Sequence, residues 1–167
     1  MTYTWASKQV VLRRAGPNDR DKIFAWRNDP WIVSLSADQR IVDEKEHTFW
    51  FNAILHDPSR LLFIVTQGNV DVGTLRVEKL DEQRAALTVY LMRSFTGRGL
   101  GKKAIVQGSR EAFRTWRDLQ SIHAIIRVEN TASIAAFRKA GYVECPTAQR
   151  TQRRTGLVEM YLKRSVR

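Results

Sequence analysis

The stretch Thr96-Gly97-Arg98-Gly99-Leu100-Gly101-Lys102-Lys103, TGRGLGKK, follows an alternating segment, RAALTVYLM. It precedes Leu100, Ala104, Ile105, Ala112, Phe113 and Trp116, which mark one face of a helix. A strand therefore runs through a glycine-rich turn directly into a helix. Glycines let backbone N–H groups approach an anion with no Cβ in the way. The helix N-terminus adds unpaired donors and a positive dipole end, and Arg98, Lys102 and Lys103 add charge. Spacing excludes a P-loop, because Thr96 stands at the first glycine position and Lys103 offers no hydroxyl to magnesium. The dinucleotide pattern is met only by Gly99, Gly101 and Ala104, and the strands before it look antiparallel, against the βαβ context that pattern needs.

Outward from this turn, LLFIVTQ, VDVGTLRVEKL and RAALTVYLM read as consecutive strands joined by short turns, an antiparallel meander. QVVLRR is a strand before them. Pro17 opens a helix over NDRDKIFAWRND that Asp29-Pro30 ends, and a second helix runs from Asp43 to about His56. SIHAIIRV is a buried strand, and NTASIAAFRKAG a helix capped at Asn130 or Thr131 with Gly141 past its end. YVEC and LVEMYLKR close the chain as strands. The order β-α-α-β-β-β-α-β-α-β-β describes an α+β fold on a mixed sheet, in a single domain of 1–167.

Lys plus Arg number 28 and Asp plus Glu 17, a formal charge of +11, which favours anionic ligands. The cations are dispersed: Arg13-Arg14, Arg114 with Arg117, Arg150 with Arg153-Arg154, and Lys163-Arg164. No arginine-rich helix face is interleaved with aromatics, so nucleic acid is not the expected partner. No apolar run is long enough to span a membrane, and the first residues lack signal-peptide features. The single Cys145 fits a reducing compartment, so the expected location is cytoplasmic. His47, His56 and His123 lack ligand spacing with Cys145, and no metal is expected.

YLMRSFTGRGLGKKAI together with IIRVENTASIAAFRKAGYVE resembles the GNAT superfamily of N-acetyltransferases. Gly99 and Gly101 match its [RQ]-x-x-G-x-[GA] motif, with Thr96 where Arg or Gln is usual, and Lys139, Gly141 and Tyr142 match its later signature. The resemblance implies a mostly antiparallel central sheet flanked by helices, splayed between its fourth and fifth strands to admit acetyl-CoA. It implies that Leu91 and Met92 present backbone groups to the pantetheine and thioester, with the N–H near Met92 facing the oxyanion. Thr96, Gly97, Arg98, Gly99, Leu100, Gly101 and Lys102 would cradle the pyrophosphate, helped by Lys103. Asn130, Ser133 and Phe137 would line the other wall, and Phe137 stands where many relatives carry an acidic Tyr.

Acetyl transfer also needs an unprotonated amine. The strand AALTVYL holds no carboxylate, so the proposed base is a water, or Thr74 with a bound water. WRND (26–29), EHTFWF (46–51) and VGTLRV (72–77) resemble the branch that acetylates the 4-amino group of UDP-linked sugars, as in pseudaminic acid synthesis. On that reading Trp26, Arg27, Asn28, His47, Trp50 and Thr74 serve the acceptor, a small-molecule amine. The alternatives are a protein N-terminal acetyltransferase of the ribosomal-protein type, and a non-catalytic acetyl-CoA or nucleic-acid binding module.

Overall fold

The computed structural model describes residues 9–146 and 156–165; Arg150, Arg153 and Arg154, and the ends of the expected 1–167 domain, lie outside them. The alternating segments form β1 (Val10–Arg14), β2 (Arg60–Gln67), β3 (Val70–Lys79) and β4 (Arg84–Leu91), each antiparallel to the next. β5 (Ser121–Arg127) lies parallel to β4, and β7 (Leu157–Lys163) is antiparallel to β5 and to the short β6 (Val143–Glu144). The result is a seven-stranded sheet in the order β1-β2-β3-β4-β5-β7-β6, mixed and mostly antiparallel as expected.

Helices cover both faces of its first half. α4 (Leu100–Thr115) buries Leu100, Ala104, Ile105 and Ala112 against Phe63, Val65, Leu75, Val77 and Leu87. On the other face α1 (Arg20–Arg27) and α3 (Glu44–His56) place Ile23, Phe51 and Ile54 over Leu62 and Ile64. β2 is thus apolar on both sides, which is why LLFIV is continuous rather than alternating. α5 (Thr131–Lys139) packs on α4, with Asn130 capping it through the Ser133 N–H.

The chain contains a helix the sequence reading lacked, α2 (Pro30–Leu35). Pro30 does not only end α1; it also starts α2 at the position where a missing N–H costs nothing, and the Asp29 carboxylate accepts from the Trp31 N–H at 2.9 Å. A second difference concerns the histidines and cysteine. Strand register brings His123, Cys145 and Glu159 together, their ligand atoms within 4.8 Å of one another, a juxtaposition that spacing along the sequence does not encode.

An ionic knot ties β1 to α1 and β3. Arg13 donates to both oxygens of the buried Asp19, each at 2.8 Å, and to Asp71 at 2.7 Å; the Gly16 N–H also donates to Asp19 and Lys22 to Asp71. The Arg13 hydrogen bonds hold the Asp19 carboxyl below the usual carboxylate range. A lowered folded pKa contributes stability above the unfolded value of about 4, and that stability is lost as pH falls through the folded value. Asp19→Asn should therefore cost about 1.5–3 kcal/mol at neutral pH and remove part of the acid-side decline, read from urea midpoints against pH. Equal midpoints for variant and wild type at pH 7 would show that the knot does not anchor β1.

Candidate active site

The parallel pairing of β4 with β5 covers only Arg84–Ala86 against Ser121–His123. β4 then continues to Leu91 and β5 to Arg127, and the two strands diverge. Peptide groups on the β5 side of β4 are left facing this gap. The Met92 N–H donates to the Val72 carbonyl at 2.9 Å, so it points to β3. Alternation along the antiparallel ladder then turns the peptide groups of Val89 and Leu91 toward the gap. This corrects the expectation for Met92: its N–H is already committed, and the donor available to an oxyanion in the gap is that of Leu91.

The glycine turn closes one end of the gap. Gly97 and Gly99 have φ of 73° and 74°, the left-handed region that other residues avoid. Gly99 is the N-cap of α4 and offers no side-chain cap. Thr96 donates back to the Arg93 carbonyl, and the next N–H with a backbone partner is Lys103, bonded to Gly99. Between them the successive N–H groups of Gly97, Arg98, Gly99, Leu100, Gly101 and Lys102 have no hydrogen-bond partner among the described residues. A run of donors at a positive helix end, with Arg98, Lys102 and Lys103 exposed around it, is a site for an anion. Thr96 contributes less than expected, because its hydroxyl is also spent on the Arg93 carbonyl, at 2.8 Å. Leu100 can contribute only its N–H, since its side chain is buried in the main core.

Gly101 faces the gap differently. A Cβ there would lie 3.8 Å from the Ala136 methyl and 3.9 Å from Leu91 Cδ1, ordinary contacts at the point where α4, α5 and β4 converge. On the far wall, Ser133 is half-buried at the start of α5. Asn130 uses its carbonyl oxygen as the cap, leaving its NH₂ group. Phe137 is only 2% exposed and meets Tyr142 edge-on at 4.9 Å, so it belongs to the core rather than to a polar wall. Tyr142 itself shares a buried hydrogen bond with Ser109 at 2.9 Å, fixing α4 to the chain after α5.

The opposite face of β3 and β4 carries a polar cluster. Thr74 is directly across from Tyr90, and Arg76 across from Thr88. Burial pushes the Tyr90 phenol up to about 12, while Thr74, Arg27 and Arg76 pull it down. Its hydroxyl oxygen is buried and makes no well-formed hydrogen bond among the described residues. The Arg76 guanidinium lies 5.5 Å from the Trp50 ring centroid and pairs with Glu78. At the end of β4, Arg93 lies 5.1 Å from the Trp31 ring centroid, and the buried Trp31 Nε1 has no hydrogen-bond partner among the described residues.

Other expected acceptor residues do structural work. Asn28 donates to the Val42 carbonyl and accepts from the Val42 N–H, both at 2.8 Å, which spends its amide on the loop before α3. Arg27 holds Asp38 and the Arg40 carbonyl in the same loop, although its charge reaches Tyr90. His47 is buried among Phe24, Trp50 and Phe51, and burial pushes its imidazole down, so it is neutral packing between α1 and α3. Trp26 packs on that same cluster with Lys22 over its ring. Sequence reasoning missed Arg76, Tyr90, Trp31 and Arg93. The first two were signalled by polar residues at every second position of β3 and β4; Trp31 was hidden by reading Pro30 as a stop.

The profile described as acetyltransferase (GNAT) domain matches residues 9–143. Among solved structures, spermidine N-acetyltransferase from Vibrio cholerae, in complex with CoA and spermine, is 19% identical with a TM-score of 0.77, covering 93% of this chain and 95% of that one. Aminoglycoside acetyltransferase AAC(6')-Ib, in complex with coenzyme A, is 18% identical with a TM-score of 0.75, over 93% and 95% of the two chains. The Campylobacter jejuni N-acetyltransferase PseH, in complex with acetyl coenzyme A, is 16% identical with a TM-score of 0.67, over 94% and 100%. No curated protein sequence matches the chain.

The two glycines should respond differently to alanine. Gly99→Ala forces a side chain into left-handed φ and is expected to cost roughly 1–2 kcal/mol, seen as a lowered Tm. Gly101→Ala sits in the first turn of a helix with room for its methyl, so its Tm should hold or rise. A large fall for Gly101→Ala would show that the close contacts with Leu91 and Ala136 are already saturated.

Proposed function

The chain belongs to the acetyltransferase (GNAT) domain family, and from that premise we propose that it acetylates the 4-amino group of a nucleotide-linked amino sugar, using acetyl-CoA. Acetyl transfer from acetyl-CoA to an amine is the family's reaction. The observation that carries the co-substrate assignment is the run of unpartnered N–H groups from Gly97 to Lys102 beside the divergence of β4 from β5. Those donors suit the pyrophosphate, with Arg98, Lys102 and Lys103 as counter-charges. The Leu91 and Val89 peptide groups suit the amide-bearing pantetheine arm, and the Leu91 N–H suits the thioester oxygen as it gains charge.

The acceptor approaches from the face of Thr74 and Tyr90. A phenol raised to about 12 keeps its proton at neutral pH and serves as a hydrogen-bond donor. The phenol and Thr74 hydroxyl oxygens accept from the amine's N–H groups, leaving its lone pair free for the thioester carbonyl, and the proton the amine then loses passes through water to the departing thiolate. Arg76 over Trp50 and Arg93 over Trp31 give an aromatic and cationic surface. Such a surface favours a ring bearing phosphates and repels polycationic acceptors such as polyamines and aminoglycosides. That sign of charge is what supports the sugar-nucleotide reading.

Thiol release from acetyl-CoA should be followed with UDP-linked 4-amino sugars, N-terminal peptides of basic proteins, spermidine and an aminoglycoside. Turnover with the sugar nucleotide is expected, and turnover confined to peptides or to polycations would overturn the acceptor assignment. Gly101→Ala is expected to weaken acetyl-CoA binding at least tenfold while the protein stays folded, read by calorimetry; unchanged affinity would place the co-substrate elsewhere. Tyr90→Phe should lower kcat by about 10- to 100-fold with the KM for acetyl-CoA unchanged, and full activity would remove the phenol from the mechanism.

A further inference from the structure

β5 and β7 turn one face into the main core, through Ile122, Ala124, Ile126, Val158 and Met160. The other face is open: Ile125 and Val143 are 61% and 55% exposed. On it the register aligns His123 with Tyr161 and Ile125 with Glu159, while the Cys145 N–H bonds to the Glu159 carbonyl at 2.9 Å. Side chains of one parity share a face, so an imidazole, a thiol and a carboxylate from β5, the end of β6 and β7 converge.

We propose that His123, Cys145 and Glu159 bind a transition-metal ion of the Zn²⁺ class on this open face. One nitrogen, one sulfur and one oxygen ligand is a set that Zn²⁺ accepts and that Mg²⁺ and Ca²⁺, which take oxygen, do not. A thiolate and a carboxylate neutralise the divalent charge. Tetrahedral bonds of about 2.0–2.3 Å put ligand atoms roughly 3.3–3.8 Å apart. The ligand atoms here already lie within 4.8 Å of one another, with His123 Nδ1 and Glu159 Oε1 at 2.8 Å. The ion would take the place of the proton shared by that pair, and small side-chain rotations would complete the set.

The imidazole is already oriented for this. Its Nε2 lies 3.0 Å from Ser121 Oγ, so an Nε2–H can donate there while Nδ1 faces the ion. Its ring stacks on Tyr161 at 5.9 Å and 24°. The Glu159 side chain is 38% exposed, leaving a fourth position to water. Zn²⁺ binds the thiolate form of cysteine, so metal entry releases the Cys145 proton and binding tightens as pH rises. A bound ion would fasten the two-residue β6 and β7 to β5, stiffening the half of the sheet that forms the second wall of the gap.

The test uses the full chain, reduced and stripped with EDTA, titrated with Co²⁺. Cys145 is the sole cysteine, so a sulfur-to-cobalt charge-transfer band reports that residue alone. A saturable band at one equivalent is expected, displaced by Zn²⁺, with Zn²⁺ but not Mg²⁺ raising Tm. His123→Gln and Glu159→Gln should each weaken Co²⁺ binding at least tenfold; the partly exposed Glu159 provides a folded variant should His123→Gln destabilise the sheet. Absence of the sulfur band in the wild-type chain, or wild-type Co²⁺ affinity in both variants, would overturn the proposal.

Discussion

The pairing of β4 with β5 ends at Ala86 and His123, and the rest of the molecule is arranged around that break. A parallel pair that stops early leaves peptide groups of a central strand without partners, a cost normally avoided in a buried sheet. Here the cost is placed where α4 begins, so unpaired groups of β4 and unpaired N–H groups of the glycine turn face one region. Both become satisfied by a long ligand with amides along its arm and an anionic head. The main core, with Leu100, Ala104 and Ile105 packed on β3 and β4, keeps α4 from sliding and so keeps the helix end at the mouth of the gap.

The two faces of β3 and β4 divide the work between them. One side is apolar and holds α4; the other carries Thr74, Arg76, Thr88 and Tyr90, with Arg76 against Trp50 of α3. The loop before α3 is held to α1 by Arg27 and Asn28, which makes those residues a frame for the acceptor side more than a contact surface. Rings under guanidiniums then line the approach, and a buried phenol marks its floor. The positive sign of that approach agrees with the charge of the whole chain.

Much of this was legible from the residues. Period-two alternation gave the meander, and TGRGLGKK gave the strand-to-helix junction with its positive-φ glycines. Asn130 and Gly141 marked the ends of α5 correctly. The acceptor face was less legible, because side chains there are read by what they already bond. Asn28 and His47 have residue types that suit a ligand, yet one is consumed by Val42 and the other by ring packing. Met92 failed for a similar reason: which of two neighbouring peptide groups faces the gap depends on ladder phase, set by Val72 on another strand. Contacts among His123, Cys145 and Glu159 arise from register between distant strands, and no local spacing encodes them.

The central claim is that the divergence of β4 from β5 and the donors at the start of α4 form one site for acetyl-CoA. Residue-resolved amide hydrogen exchange with and without acetyl-CoA tests it most directly. Exchange should slow at Leu91, whose N–H faces the gap, and from Gly97 to Lys102, amides with no hydrogen-bond partner among the described residues, while α1 and α3 change little. Unaltered exchange at those amides under saturating acetyl-CoA, or protection confined to another surface, would contradict the account.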